Sequence, residues 1–169
     1  MFYAVCSLLA LGLLALDQWS KAWITANLPL GETMDFLPGV LGLRAVHNYG
    51  AAWSSFSGQR WLLVAVTGCI VLAVAVALAR RLIRHPLGVA AGMLIIAGGL
   101  GNLIDRVLFG YVTDMFQTIF INFAVFNVAD CCLVCGVIAM MVYVLFFYDK
   151  LEKATAGQEA GHDAADPEG

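Results

Sequence analysis

Asp130 is the residue of this chain hardest to explain without chemistry. It stands in Met115–Tyr148, a 34-residue stretch with no other charged side chain. An ionised carboxylate deep in a bilayer costs ~2.5–3.5 kcal/mol on insertion scales, so such a residue is expected to have a partner and a task. Asn127 lies three positions earlier, on the same helix face. Asp114 precedes the same segment by a stretch long enough to fold back onto it. Two carboxyl groups held together share a proton, because like charges in close contact resist joint ionisation. The ionised one can take a proton from water. The protonated one can polarise a carbonyl and later protonate a leaving amine. That is amide hydrolysis with no metal and no nucleophilic side chain.

Other chemistries are poorly supplied. A Ser-His-Asp arrangement would need His47 or His85, and His85 lies beside the basic 80–85 connector, away from the acids. His47 itself is read as a surface or interface residue. No HExxH is present. Cys131 adjoins Asp130, but helix neighbours point in different directions. Cys132 and Cys135 have a CxxC spacing with no second pair and no nearby His, so all five cysteines are read as small buried hydrophobes. No metal and no cofactor are expected.

Five polar clusters interrupt the apolar sequence. They are Asp17-Gln18-Trp19-Ser20-Lys21, His47 to Ser54, Gly98 to Arg106, Val112 to Met115, and Phe126 to Asp130. Each has a plain reading of its own. Asp17 and Lys21 are four apart and make a helix-stabilising pair. Asp105 with Arg106 could anchor an interface, Asp114 could be a solvated loop acid, and Asn127 is a favoured helix N-cap. What argues for a site is their level, which follows from the elements that carry them.

Those elements are membrane spans. Of 169 residues 62 % are apolar and 12 % charged, and mean hydropathy is +0.86. A soluble domain of this size lacks the interior volume to hide so much apolar surface. A water-soluble enzyme, a nucleic-acid binder and a disordered chain are thereby excluded. A spanning helix needs ~20 mainly apolar residues, and four segments qualify, at about 2–26, 60–79, 86–105 and 126–148. No Lys or Arg precedes the first, and no small-residue cleavage motif follows it, so it reads as an uncleaved span. The 80–85 connector carries Arg80, Arg81 and Arg84, and Lys150 and Lys153 follow the last span. By the positive-inside rule that side is cytoplasmic, with both termini. All five clusters then fall at the outer level of the membrane.

The fold class expected is an all-α membrane protein of four transmembrane helices with a small extracytoplasmic β-element. Residues 1–150 form the membrane domain, with the β-element at about 30–55. Pro38-Gly39 turns between Thr33–Leu37 and Val40–Val46, and Leu41, Leu43 and Ala45 alternate against Arg44. Gly88 and Gly92 could let the third helix pack closely. Residues 151–169, whose last eleven positions carry four of the twelve acids, read as a disordered cytoplasmic tail.

Taken together, D-Q-x-S-K, N-x-G-A-A, G-x-x-G-N-x-x-D-R, V-x-D and F-N-x-A-D resemble the signature of the lipoprotein signal peptidases, or signal peptidase II. The resemblance runs from roughly residue 8 to 148. It implies a bacterial inner-membrane aspartyl protease that cuts prolipoproteins just before a diacylglycerol-modified cysteine. It places the catalytic pair on Asp114 and Asp130. It implies supporting roles for Asp17, Lys21, Asn48, Gly50, Asn102, Asp105, Arg106 and Asn127. Asn48 and Asn102 would hold the substrate backbone, Arg106 would grip a carbonyl or steady local structure, and Asn127 would orient Asp130. Expected partners are diacylated prolipoproteins, membrane lipid and globomycin-like cyclic peptides, with no nucleic acid, and the chain is expected to act as a monomer. Tyr49, Trp53, Met115 and Cys131 depart from the residues usual in that pattern. The surface β-element, about 33–47, and a 107–125 loop are expected to clamp the cleavage segment from above.

Two other classes compete. A proton-coupled transporter would use Asp130 as its proton site, but it would spread polar groups through the membrane depth. A structural assembly factor leaves the two converging acids unexplained.

Overall fold

A computed structural model describes residues 1–50 and 55–148. The expected tail at 151–169, Lys150, Lys153 and the Ala51 to Ser54 part of the second cluster lie outside the described residues. Four helices are long and apolar enough to cross a membrane. They are α1 (Phe2–Asn27), α2 (Arg60–Ala79), α3 (Pro86–Leu108) and α4 (Val128–Tyr143), the last continuing as a π-helical turn over Val144–Tyr148. Three strands, β1 (Thr33–Leu37), β2 (Leu41–Asn48) and β3 (Val112–Thr118), form one antiparallel sheet in the order β1-β2-β3.

α3 is the hub. Of its most apolar window 56 % is buried, against 11–17 % for the other three, and α1, α2 and α4 all pack on it. Leu8, Leu72, Val134 and Leu145 point outward from the bundle. This inversion suits a bilayer, which solvates apolar side chains but leaves backbone groups to satisfy themselves.

Both ends of α3 and the start of α4 are set locally. Pro86 occupies the first turn of α3, where its missing N–H costs nothing, and His85 Nδ1 accepts the Leu87 N–H at 3.2 Å. α3 runs three residues beyond the expected end at 105. Asp105 and Arg106 are drawn into the protein rather than released at an interface, and the helix closes only at Phe109, whose N–H reaches Asp105 O at 2.8 Å. Gly110, at φ +87°, then takes the left-handed turn. α4 starts at Val128 rather than 126, because Phe126 is held as a strand-like bridge to Phe116.

The hairpin β1–β2 was legible, with Gly39 at φ +74° in its turn. Leu43 and Ala45 are buried against Ile24 of α1 and Met115 of β3, which seats the sheet on the end of α1. Leu41, at the strand end, is only half-buried. β3 corrects the expectation of a free 107–125 loop. Leu41 pairs with Thr118, Leu43 with Phe116, Val46 with Asp114 and Asn48 with Val112, so the two segments are one sheet and not separate jaws.

Close helix approach is not confined to Gly88 and Gly92. Cβ atoms there would meet side chains, of Ile83 and Tyr143 at one and Val74 and Leu78 at the other. A Cβ on Gly98 would collide with the Ala129 carbonyl, and one on Gly136 would come within 3.0 Å of the Ala91 carbonyl. These two glycines bring the α3 and α4 backbones together. The cysteine reading holds only for Cys6 and Cys132, since Cys69, Cys131 and Cys135 face outward.

Candidate active site

The C-terminal ends of α1 and α3, the start of α4 and the β2–β3 edge meet at one end of the bundle. All ten residues singled out above meet there in one hydrogen-bonded network, and eight of them are joined by contacts between side chains.

Asn127 is the N-cap of α4 and forms a capping box with Asp130. Its Oδ1 accepts the Asp130 N–H at 2.9 Å, and its own N–H donates to Asp130 Oδ2 at 3.1 Å. With Oδ1 so engaged, Nδ2 must face the other way. There it donates to Asp114 Oδ1 at 2.7 Å. One fully buried residue therefore bridges both carboxyls, and the cap geometry and the functional geometry are the same object.

The remaining carboxyl oxygens are also engaged. Asn48 Nδ2 donates to Asp114 Oδ2 at 3.0 Å, and Asn102 Nδ2 donates to Asp130 Oδ1 at 2.8 Å. Asn102 is oriented in turn by Lys21, whose Nζ donates to Asn102 Oδ1 at 3.1 Å. Both asparagines thus donate to the acids. Asn48 Oδ1 accepts the Gly50 N–H at 2.9 Å. Arg106 donates to Gly50 O at 2.8 Å and to Asn102 O at 3.3 Å, which is the local-structure role among its two alternatives.

Behind this layer lies a buried ion cluster. Lys21 Nζ is 2.8 Å from Asp17 Oδ2 and 3.2 Å from Asp105 Oδ2. Asp17 and Lys21 do form the expected helix pair, but Asp17 also accepts the Ala129 N–H at 2.8 Å, tying α1 to the first turn of α4. Asp105 accepts the Thr113 N–H at 3.1 Å, which sets the height of β3 and hence of Asp114. Asp105 is 2 % exposed, so it is not an interfacial anchor.

Gln18 was not assigned a role from sequence, although it lies inside the first motif. Its Nε2 lies 3.1 Å from both Asp17 Oδ2 and Asp105 Oδ1 and 3.2 Å from Gly101 O. The signal was its place one residue after a buried acid. His47 stands outside the network, stacked on Tyr111 at 3.7 Å.

Burial, reinforced by the negative charge of Asp130, pushes the Asp114 carboxyl up to about 7, against the opposing pull of the Asn48 and Asn127 hydrogen bonds and the Lys21 charge. Asp114 therefore exchanges its proton near neutrality, as an acid catalyst must.

Gly101 is the packing condition for this cluster. A Cβ there would lie 2.6 Å from Asp17 Oδ2 and 2.9 Å from Ala129 Cβ. Gly101→Ala is expected to cost about 1–3 kcal/mol through forced displacement of α1 and α4. Gly12→Ala on α1, where nothing lies within 4 Å, is the control. Equal thermal midpoints for the two variants in detergent would contradict this role for Gly101.

Comparison with known proteins shows the family of this chain. The family model described as signal peptidase (SPase) II matches residues 9–146. A lipoprotein signal peptidase of Lactococcus lactis subsp. cremoris (strain SK11) is 45 % identical over 138 residues, covering 82 % of this chain and 91 % of that protein. One of Enterococcus faecalis is 40 % identical over 136 residues, covering 79 % and 83 %. Among solved structures, a bacterial membrane enzyme determined by the in meso method is similar at a TM-score of 0.80 and 31 % identity, covering 84 % of this chain and 88 % of the other. A second gives 0.77 and 32 %, covering 85 % and 94 %. These similarities displace the transporter and assembly-factor alternatives, and with four apolar spans beneath a buried acid pair, the chain belongs to the signal peptidase II family, the aspartic-type lipoprotein signal peptidases.

Proposed function

We propose that Asp114 and Asp130 are the catalytic pair of an intramembrane aspartyl endopeptidase that removes the signal peptide from diacylglyceryl-modified prolipoproteins, cutting just before the lipidated cysteine. The observation that carries this reading is the double use of Asn127, whose side chain binds one carboxyl and whose backbone binds the other. Asp130 lies in the first turn of α4, the end of a helix that suits a carboxylate. It takes a proton from water as that water attacks the scissile carbonyl. Asp114, protonated near neutral pH, donates to the carbonyl oxygen. The proton gained by Asp130 then passes to the leaving amine as the C–N bond breaks, and Asp114 recovers its proton from a hydroxyl of the gem-diol as the carbonyl re-forms. Lys21, Asn102, Asn48 and Asn127 hold the two carboxyls in register, and Asp17, Asp105, Arg106 and Gly50 hold those four.

The site lies at the end of the bundle opposite the arginine-rich 80–85 connector. The positive-inside rule supports cytoplasmic termini and a site near the outer face of a bacterial inner membrane. There a lipidated substrate can arrive sideways through the bilayer. The residues of the site all come from one chain, which supports a monomer as the working unit. Globomycin-like cyclic peptides, as substrate mimics, would occupy the same acids.

The pH dependence tests the role of Asp114. Its donating form is lost as pH rises through about 7. Cleavage at saturating substrate should therefore fall on the alkaline side, approaching a tenfold loss per pH unit above that point. A rate held constant from pH 6 to 9 would remove Asp114 from the acid role.

A further inference from the structure

The strand that delivers Asn48 to Asp114 ends at Asn48, paired with Val112 on the last rung of β2–β3. An end rung has no neighbour beyond it and frays unless something holds it. On this edge His47, one residue before Asn48, lies flat on Tyr111, with ring centroids 3.7 Å apart and planes 19° from parallel. Tyr49 meets Tyr111 edge-on at 5.7 Å, and Phe109, at the end of α3, stacks on it at 6.0 Å. Tyr111 is thus the centre of four rings that join β2 to the α3–β3 turn. Successive strand residues point to opposite faces. Fastening His47 therefore fixes the direction of Asn48.

We propose that the His47–Tyr111 stack is a positioning latch for the reaction, holding the last rung of the sheet so that Asn48 stays on Asp114. His47 and Tyr111 are positioning residues, touching neither acid. Tyr49, 54 % exposed, stands at the open edge of the same cluster and shields the stack from that side. Burial lowers the proton affinity of His47, so the ring on Tyr111 is a neutral imidazole at pH 7.

The latch rests on the dyad reading above, and its consequence is specific. The Asn48 hydrogen bond favours the ionised form of Asp114. Its surroundings otherwise comprise Asn127 and Asp130 from α4, Lys21 from α1 and Arg106 from α3, with Asp105 on the neighbouring Thr113 N–H. If the rung loosens and Asn48 swings away, Asp114 keeps its proton to higher pH.

Tyr111→Ala and His47→Ala remove the stack from its two sides. In the full chain in detergent, with a diacylated prolipoprotein as substrate and rates taken per folded protein, each should lower kcat about 2- to 10-fold and leave KM unchanged. Each should also move the alkaline limb to higher pH, as Asn48→Ala should. Tyr111→Phe keeps the stacked ring and should restore both kcat and the limb. Wild-type kcat and an unmoved limb in either alanine variant would overturn the latch. So would a change confined to KM, which would mean substrate contact. Asp114→Asn in the same assay separates the two claims. Cleavage by that variant would sink the dyad, whereas a dead Asp114→Asn beside a wild-type Tyr111→Ala sinks the latch alone.

Discussion

Asp114→Asn and Asp130→Asn are each expected to lower cleavage of a diacylated prolipoprotein on the order of 10²–10⁴-fold or more, the range supplied by a positioned acid or base. Neither amide can exchange a proton near neutral pH, so each substitution removes one half of the proton traffic while keeping shape and volume. The fold should survive both. At Asp114 the amide oxygen can still accept from Asn127 or from Asn48, though not from both, since the new NH₂ faces a donor. That costs about one hydrogen bond, ~1–3 kcal/mol if the donor is left unsatisfied. Thermal unfolding provides an independent check on Asp114. Its carboxyl binds a proton in the folded protein up to about pH 7, whereas the unfolded chain releases it near 3.8. The native state is then the more protonated one across that window, so this group makes stability fall as pH rises. Asp114→Asn should flatten that slope. A variant that cleaves at the wild-type rate, at either position, would end the dyad reading.

Much of this site was readable in the sequence because membrane burial makes polar residues conspicuous. A lone Asp130 in an apolar helix, an Asp17–Lys21 pair at helical spacing and an asparagine before an apolar run are each statements about local geometry. Their convergence followed from counting spans, since alternate spans return to the same level. What was not readable depended on contacts far apart in the chain. β3 has no strand-like alternation of its own. Thr113, Asp114 and Met115 are all buried, with Asp114 turned to Asn127 at the start of α4, Met115 packed on Ile24 of α1, and the Thr113 N–H bonded to Asp105 of α3. The contacts of Asn48 and Asn102 were not readable for a related reason. An amide can serve substrate or catalyst equally well, and the sequence does not show that Asn102 Oδ1 accepts from Lys21 Nζ and Asn48 Oδ1 from the Gly50 N–H, which turn both amide donors toward the acids. Close helix approach extends beyond Gly88 and Gly92, because Gly98, Gly101 and Gly136 face backbone or a buried acid, which spacing alone does not reveal.

Lys21 is expected to be the costliest single loss to the fold. It is 4 % exposed and is the cation shared by Asp17 and Asp105. Lys21→Met preserves much of the aliphatic stem, so the change isolates the charge and its donors. Two carboxylates would then remain inside the bundle with Gln18 Nε2 and two backbone N–H groups as their remaining donors. Removing one partner of a buried ion pair costs about 3–5 kcal/mol, because the penalty is that of the stranded charge rather than of the lost contact. Asp105→Asn in the Lys21→Met background removes one of the two stranded charges and should recover part of the loss. The same substitution in the parent should destabilise, since there it strips Lys21 of a counter-charge. Opposite signs for one substitution in two backgrounds are the mark of a charge cluster, and a packing defect would not produce them. Activity should fall in Lys21→Met even for the folded fraction. Asn102 Oδ1 would keep only Asn127 Nδ2 as its donor, and the amide that faces Asp130 would be free to turn. Denaturant or thermal unfolding of the four variants in detergent measures the cycle. If Asp105→Asn shifts stability equally in both backgrounds, Lys21 is not what compensates the buried acids, and the arrangement of the dyad must be held by the asparagines and the helix packing alone.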